Sequence, residues 1–277
     1  MNIVYCGYDL FHLCMSGLLD SGHDIVELFT WPAARRLLSL ARSADTRVST
    51  APIGADDMRR LKDRGADAII SPAYPYKVPD WRGCARYGLN IHPSPLPIGR
   101  GPWPLPRVIL TGMTQTAVTL HELTPSWDAG DILVQAALDV SETETLESLA
   151  ERSHRCARDL LLETVPRIDA VWSRKRPQGA GSYWPAPTRA DRTITLDMPV
   201  RQIDRIVRAF SGLKRFVYID ATRYSVDQIR SREASHSLPC GMVVRETGQE
   251  TTYAVSDGFV TVTASSDRSW FRTPVSD

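Results

Sequence analysis

A chain of 277 residues can form one large domain or two small ones around a substantial core. Its 33 Lys and Arg stand against 32 Asp and Glu, a formal net charge of +1, so overall charge excludes a globally basic nucleic-acid binder. It contains no apolar run of about eighteen residues that would span a membrane, and the opening "MNIVYCGYDL" has no basic stretch and contains Asp9, unlike a signal peptide.

From the start, "NIVYCG" reads as a buried strand that turns at Gly7. "DLFHLCMSGLLDSG" follows as a helix, with Leu10, Leu13, Cys14 and Leu18 at helical spacing and a stop at Gly22. "DIVELFTW" is a second strand. Ala33 to Ala44 and Asp56 to Arg64 read as helices, with Arg35, Arg36, Arg59, Arg60 and Lys62 on solvated faces. "ADAIISPAY" and "YGLNIHPS" are further buried strands. This alternation predicts an α/β fold with a Rossmann-like parallel sheet flanked by helices. Gly7 belongs to no Gly-x-Gly-x-x-Gly set, which argues against a nicotinamide or flavin cofactor.

"TAVTLHEL" alternates as a strand ending near Leu123, and after an irregular loop another strand runs from Ile132 to Ala136. "TLESLAERSHRCARDLLLETVPRIDAVW" is one long amphipathic helix. The glycines, prolines and charges of "SRKRPQGAGSYWPAPTRADR" mark a linker. Beyond it, "PVRQIDRIVRAF" is a helix with apolar positions Val200, Ile203, Ile206, Val207 and Phe210. Short β-like pieces then follow: "RFVYID", "TRYSVDQIR", "GMVVRE", "TTYAVSD" and "GFVTVTA". A helix with closely spaced strands suggests a small β-barrel or sandwich. The expected organisation is a catalytic domain over residues 1–180 and a β-rich domain over 187–277. Cys6, Cys14, Cys84, Cys156 and Cys240 are scattered with no Cys-x-x-Cys pair, which fits reduced thiols in a cytoplasm better than disulfides or zinc.

The chemistry gathers in two places. In "GLNIHPSPLPIGRG", Asn90, His92 and Ser94 share the two-residue period of a strand and point to one side. Pro93, Pro95 and Pro97 end that strand in a stiff loop, and open α/β sheets place their sites at such strand ends. A lone strand histidine is more often structural, but three polar residues in register strengthen the functional reading. In "WDAGDIL", Asp128 and Asp131 flank Gly130; alone, this is a turn serving backbone geometry. With no third acidic ligand nearby, a metal is not expected.

Taken together, "NIHPSPLP", "AVTLHEL" and "DAGDIL" followed by Gln135 resemble the folate-dependent formyltransferase family, which includes glycinamide ribonucleotide, methionyl-tRNA, amino-sugar and amino-acid N-formyltransferases. "AYPYKVP" resembles the folate-loop region of that family. The part from "RTITLDMPVRQIDRIVRAF" through "PCGMVV" and "DGFVTVTA" resembles the small OB-like barrel domain of the methionyl-tRNA and amino-sugar members.

The resemblance implies transfer of a formyl group from 10-formyltetrahydrofolate to an amine, with no metal. Asn90 would offer its amide to the developing oxyanion, and His92 would donate to that oxygen or take the amine's proton. Asp128 would orient His92 and hold its charge. Ser94 and Gly130 would support them. Tyr74, Pro75, Tyr76, Lys77 and Val78, with Asp139, Ser141 and Glu142, would hold the folate; Arg100, Gly101 and Trp103 would meet the acceptor. A small-molecule amine is the expected acceptor, either an amino-sugar nucleotide or an amino acid with a side-chain amine or hydroxylamine. Met-tRNA is the rival, since the loop "PIGRGPWPLP" offers one arginine where methionyl-tRNA enzymes usually carry more. From Pro187 onward, 13 Lys and Arg alternate with 11 Asp and Glu rather than clustering. A formyl-folate or formamide hydrolase and a non-catalytic folate-binding module stay open as other readings. The expected setting is cytoplasmic, away from membranes, with a homodimer left open.

Overall fold

The computed structural model describes residues 1–212, 216–219 and 222–263. Arg215 and Asp220 of "RFVYID", Ala264 of "GFVTVTA" and the remainder of the expected C-terminal domain, 265–277, lie outside the described residues. The chain divides into two compact units. The larger comprises Met1–Leu105, Thr114–Val140 and Ser148–Ala186; the smaller comprises Pro106–Met113, Ser141–Glu147 and Pro187–Asp277.

In the larger unit the order is β1 (Asn2–Cys6), α1 (His12–Asp20), β2 (Asp24–Phe29), α2 (Arg35–Ser43), β3 (Arg47–Ser49), α3 (Ala55–Asp63), β4 (Ala68–Pro72) and β5 (Tyr87–His92). Then come α4 (Pro104–Leu110), β6 (Gln115–Glu122), β7 (Ile132–Asp139), α5 (Leu146–Thr164) and α6 (Ile168–Ser173); α4 and the start of α5 fall partly in the smaller unit. The strands form one sheet in the order β3-β2-β1-β4-β5-β6-β7. The first five are parallel, as the alternation predicts, whereas β6 and β7 join antiparallel.

Residues of β1, β4 and β5 alternate between two cores because successive side chains point to opposite faces. Ile3, Tyr5, Leu89 and Ile91 pack with Leu18, Leu37 and Leu161 from α1, α2 and α5. Val4, Cys6 and Ile69 pack with Met58, Leu61 and Trp81 on the other face. Gly88 belongs to that second face, and a Cβ there would lie 2.4 Å from the Trp81 ring. Glycine thus lets the indole lie against β5, where its N–H donates to the Leu123 carbonyl at 2.9 Å. The chain runs outward to β3 on one side of β1 and to β7 on the other. The loops after β4 and β5 consequently emerge side by side at the carboxyl edge of the sheet, where open α/β sheets bind ligands.

Three expectations are corrected. The long helix breaks at Pro166, which has no N–H for the helical ladder; a single 3-10 turn at Val165–Arg167 separates α5 from α6. The loop read as "PIGRGPWPLP" ends before its last three residues, because Pro104 occupies the first position of α4, where its missing N–H costs nothing. The segment read as a linker packs onto the larger unit: Arg100 bridges to Tyr183, and Ile132 to Arg176.

The smaller unit contains β8 (Thr193–Ile194), α7 (Val200–Ala209), β9 (Phe216–Ile219), β10 (Thr222–Ser225), β11 (Ile229–Glu233), β12 (Val243–Glu246), β13 (Glu250–Val255) and β14 (Gly258–Thr263). In α7, Val200, Ile203, Ile206 and Ala209 are buried with the adjoining Phe210, while Val207 is only partly covered. The β-rich character is as expected. Among the described residues the strands form two sheets, β10-β9-β8 and β11-β14-β13-β12, rather than one closed barrel.

Candidate active site

On β5 the two-residue period sends Leu89 and Ile91 into the core and leaves Asn90 and His92 on the opposite face. Antiparallel pairing sets Asn90 opposite His121 and His92 opposite Thr119, and β7 sets Gln135 opposite Thr119. Directly opposed residues share a face, so five polar side chains form a row across three strands. The loop between β6 and β7 then brings Asp128 to that row.

His92 is 6% exposed. Its Nε2 lies 2.8 Å from the Gly99 carbonyl, which can only accept, so the ring proton sits on Nε2. Nδ1 faces Asp128 Oδ1 at 3.5 Å. Burial pushes the His92 pKa below the ordinary imidazole value, against the opposing pull of Asp128 and the Gly99 carbonyl. The neutral ring therefore presents a basic Nδ1 beside a carboxylate that can hold the charge once the ring is protonated.

Asp128 is itself buried and sits at φ +51°, a left-handed conformation that Asp tolerates better than most residues. Its Oδ2 accepts the Gly101 N–H at 2.9 Å, and Oδ1 accepts from Asn90 Nδ2 at 3.2 Å. Burial alone would raise its pKa, but His121, His92 and the Gly101 N–H together hold it below the ordinary carboxylate value. His121 donates from Nδ1 to the Glu122 carbonyl at 2.9 Å, which leaves Nε2 to accept Asn90 Nδ2 at 3.2 Å. Both Asn90 N–H groups are thereby engaged, one by His121 and one by Asp128.

The loop after β5 is held from several sides. Ser94 Oγ donates to the Ile98 carbonyl at 3.0 Å, and Thr119 Oγ1 donates to the Ser94 carbonyl at 2.7 Å. Gln135 donates to the Leu96 carbonyl and to Thr119. Ser182 Oγ accepts the Gly99 N–H at 3.1 Å. Gln178 Nε2 donates to the carbonyls of Asp128 and Gly130 at 2.8 and 2.7 Å, so the supposed linker fixes the Asp128 loop.

The other anticipated residues fall as follows. Gly130 serves close approach, because a Cβ there would lie 1.9 Å from the Glu122 carbonyl oxygen. Asp131 stands apart from His92, 3.7 Å from Lys175, which also pairs with the buried Glu122. Arg100 is turned to Gln178 and Gly179, Gly101 gives its N–H to Asp128, and Trp103 is partly buried just before α4. Tyr74 is buried, its hydroxyl accepting the Ile53 N–H, and it packs edge-on against the exposed Tyr76. Pro75 is exposed and Val78 borders the second core. Lys77 Nζ lies 5.9 Å from the ring centre of exposed Trp127, joining the loop after β4 to the Asp128 loop. Asp139 ends β7 opposite Gln115, four residues along the ladder beyond Gln135. Ser141 and Glu142 belong to the smaller unit, where Glu142 pairs with Arg201. Among the described residues no group of three or more His, Cys, Asp and Glu is arranged to hold a metal.

His121, Thr119, Gln178 and Ser182 were not singled out from the sequence. The polar alternation of "TLHE" is a signal that could have found the first two.

The formyl transferase family model matches residues 58–165. A methionyl-tRNA formyltransferase of Lacticaseibacillus paracasei is 26% identical over 282 residues, spanning 92% of this chain and 89% of that protein. An N-formyltransferase from Helicobacter canadensis, solved with folinic acid and dTDP-3-aminofucose, superposes with a TM-score of 0.74 at 17% identity, over 95% of this chain and 99% of that one. The sugar 3N-formyl transferase WlaRD, solved with dTDP and 5-N-formyl-THF, gives 0.71 at 16% identity, over 96% and 98%. With Asn90, His92 and Asp128 joined at the end of β5, inside the span that the formyl transferase family model matches, the protein is a formyl-transferring enzyme.

Proposed function

We propose that the protein moves the formyl group of 10-formyltetrahydrofolate onto the amino group of a small metabolite, an amino-sugar nucleotide or an amino acid with a side-chain amine or hydroxylamine. The observation that carries this reading is the His92 ring, with its proton fixed on Nε2 and its Nδ1 beside an ionised Asp128. As the amine attacks the formyl carbon, His92 Nδ1 takes the amine's proton and Asp128 stabilises the resulting imidazolium. Asn90 releases one N–H from His121 or Asp128 and supplies it to the carbonyl oxygen as negative charge develops there. His92 then returns its proton to the departing folate nitrogen, so the cycle closes with no net proton held by the chain.

The folate reading is supported by the loop after β4, whose exposed Tyr76 and the neighbouring exposed Trp127 offer flat apolar walls close to Asp128. The small-acceptor reading is supported by Arg100, whose guanidinium is occupied by Gln178 and Gly179 rather than offered to a phosphate backbone. A second reading, Met-tRNA as acceptor, is favoured by the 26% identical methionyl-tRNA formyltransferase.

One assay separates these readings: incubation with 10-formyltetrahydrofolate and a panel of amino-sugar nucleotides, amino acids and Met-tRNA, read by product mass. A formylated small amine is the expected product. Faster formylation of Met-tRNA than of every small amine moves the assignment to tRNA. Release of formate alone makes the protein a hydrolase.

A further inference from the structure

We propose that the open face of the β11-β14-β13-β12 sheet binds a small ligand carrying two linked phosphates, of the nucleoside diphosphate class. This face forms a cup of about 420 Å³ lined by Arg230, Arg232, Arg245, Thr252, Phe259 and Thr261, with Glu250 as its one carboxylate. That volume is in the range of small-molecule sites.

The cup arises from strand register. Arg230 on β11 lies opposite Thr261 on β14, Thr261 opposite Thr252 on β13, and Thr252 opposite Arg245 on β12. The last pairing depends on a bulge between Val243 and Arg245, where Val244 is the extra residue. In a regular ladder Val244 would face Thr252; the bulge puts Arg245 there instead, a use of bulges to re-aim a side chain. Strands stand roughly 4.8 Å apart, so the backbones of Arg230 and Arg245 are about 14 Å apart across the row. Two arginine side chains reaching inward over that distance leave a gap that suits a diphosphate.

The charge is available. Among the described residues, none of the three arginines lies within 4.0 Å of a carboxylate, unlike Arg60, Arg64, Arg82, Arg107 and Arg201. All three are exposed. On the floor, the Thr252 and Thr261 hydroxyls meet at 2.9 Å and can turn a hydrogen outward to phosphate oxygen. Arg232 is placed 5.3 Å from the Phe259 ring centre, which fixes its planar fork. Phe259 and the exposed Val244 add apolar surface for a flat ring. The small volume of the cup and its single carboxylate favour a compact anion over a continuous nucleic-acid strand.

The test is calorimetric titration of the full chain with ADP and with inorganic diphosphate, on wild type, Arg230→Ala, Arg245→Ala and Thr252→Val. Wild type is expected to bind with a Kd below about 1 mM, and each arginine variant to bind at least about tenfold more weakly, the scale of a lost charge-assisted hydrogen bond. Thr252→Val keeps strand propensity and should show a smaller loss. Unchanged far-UV spectra and thermal midpoints in the variants tie any loss to the site and not to unfolding. Absence of binding in wild type, or wild-type affinity in both arginine variants, overturns the proposal. So does a single-stranded RNA oligomer that binds more tightly than ADP and loses its affinity in the same variants.

Discussion

Gly101 and Asp128 are joined by one hydrogen bond of 2.9 Å, and both have left-handed backbones, φ +122° and +51°. The bond ties the loop after β5 to the loop after β6, and so sets the carboxylate against His92. A Cβ on Gly101 would lie 2.2 Å from the Trp184 carbonyl oxygen, a backbone atom that cannot swing aside. Gly101→Ala should therefore cost about 1–3 kcal/mol of stability through strain, and lower kcat/KM by more than tenfold. Gly83→Ala, where a Cβ meets nothing within 4 Å, is the control and should leave both unchanged. Chemical denaturation and steady-state kinetics on both variants check this.

Asn90, His92 and Asp128 share hydrogen bonds and one charge, so their effects should not add. Asn90→Ala is expected to cost roughly 10²–10³ in kcat, the scale for losing one oxyanion donor. His92→Ala and Asp128→Asn should each cost comparable or larger factors, and the His92→Ala/Asp128→Asn pair little more than the worse single change. Additive losses in the double variant would mean that the two side chains act separately.

The strands were legible where apolar runs are short and bounded by turn residues, as in "NIVYCG" and "ADAIISPAY". Asn90 and His92 were legible because their spacing matches a strand and prolines follow. His121 escaped because one histidine in an alternating strand reads as a filler of the polar face until its cross-strand partner is known; pairing with Asn90 is a long-range fact. The segment 174–186 escaped for a different reason. Its glycines and prolines read alike whether solvated or packed; a Cβ at Gly181 would lie 2.0 Å from the Pro97 carbonyl oxygen, a contact no local pattern encodes. The reversal of β6 depended on how α4 returns the chain, which local propensity leaves open.

Gln178 tests whether that segment positions the site. Its amide nitrogen serves the Asp128 and Gly130 carbonyls while its oxygen accepts from Arg100 Nε at 3.0 Å. Gln178→Ala leaves two carbonyls without their donor and should lower kcat/KM about tenfold, the effect of roughly 1.4 kcal/mol. Gln178→Glu should be worse, since a carboxylate would then face those two carbonyls. Wild-type kinetics in both variants would reduce the segment to a tether.

His154 gives the fold an acid sensitivity separate from the chemistry. It is packed edge-on against Phe11 with ring centres 4.6 Å apart, and burial, helped by His12, lowers its pKa to about 4. The unfolded chain takes up that proton near pH 6.5, so the stabilisation is whole above 6.5 and is lost as pH falls towards 4. Between pH 7.5 and 5 the wild type should lose up to about 2 kcal/mol from this residue. His154→Phe should lose correspondingly less over the same interval. Urea midpoints at the two pH values provide the comparison.

In the proposed reaction, the pH profile of catalysis follows from His92. Burial holds its pKa below 6.5, and the base must be neutral at Nδ1 to accept a proton, so kcat/KM should be flat above pH 6.5 and fall on an acid limb below it. Asp128 keeps its charge across that limb because its own pKa is held below the ordinary carboxylate value. The carboxylate favours the imidazolium, so removing its charge must lower the His92 pKa further. Asp128→Asn should therefore move the acid limb to lower pH while reducing the plateau. A structural role for Asp128 alone would lower the plateau and leave the limb in place. A limb moving to higher pH in Asp128→Asn would show that the carboxylate does not face the base during turnover.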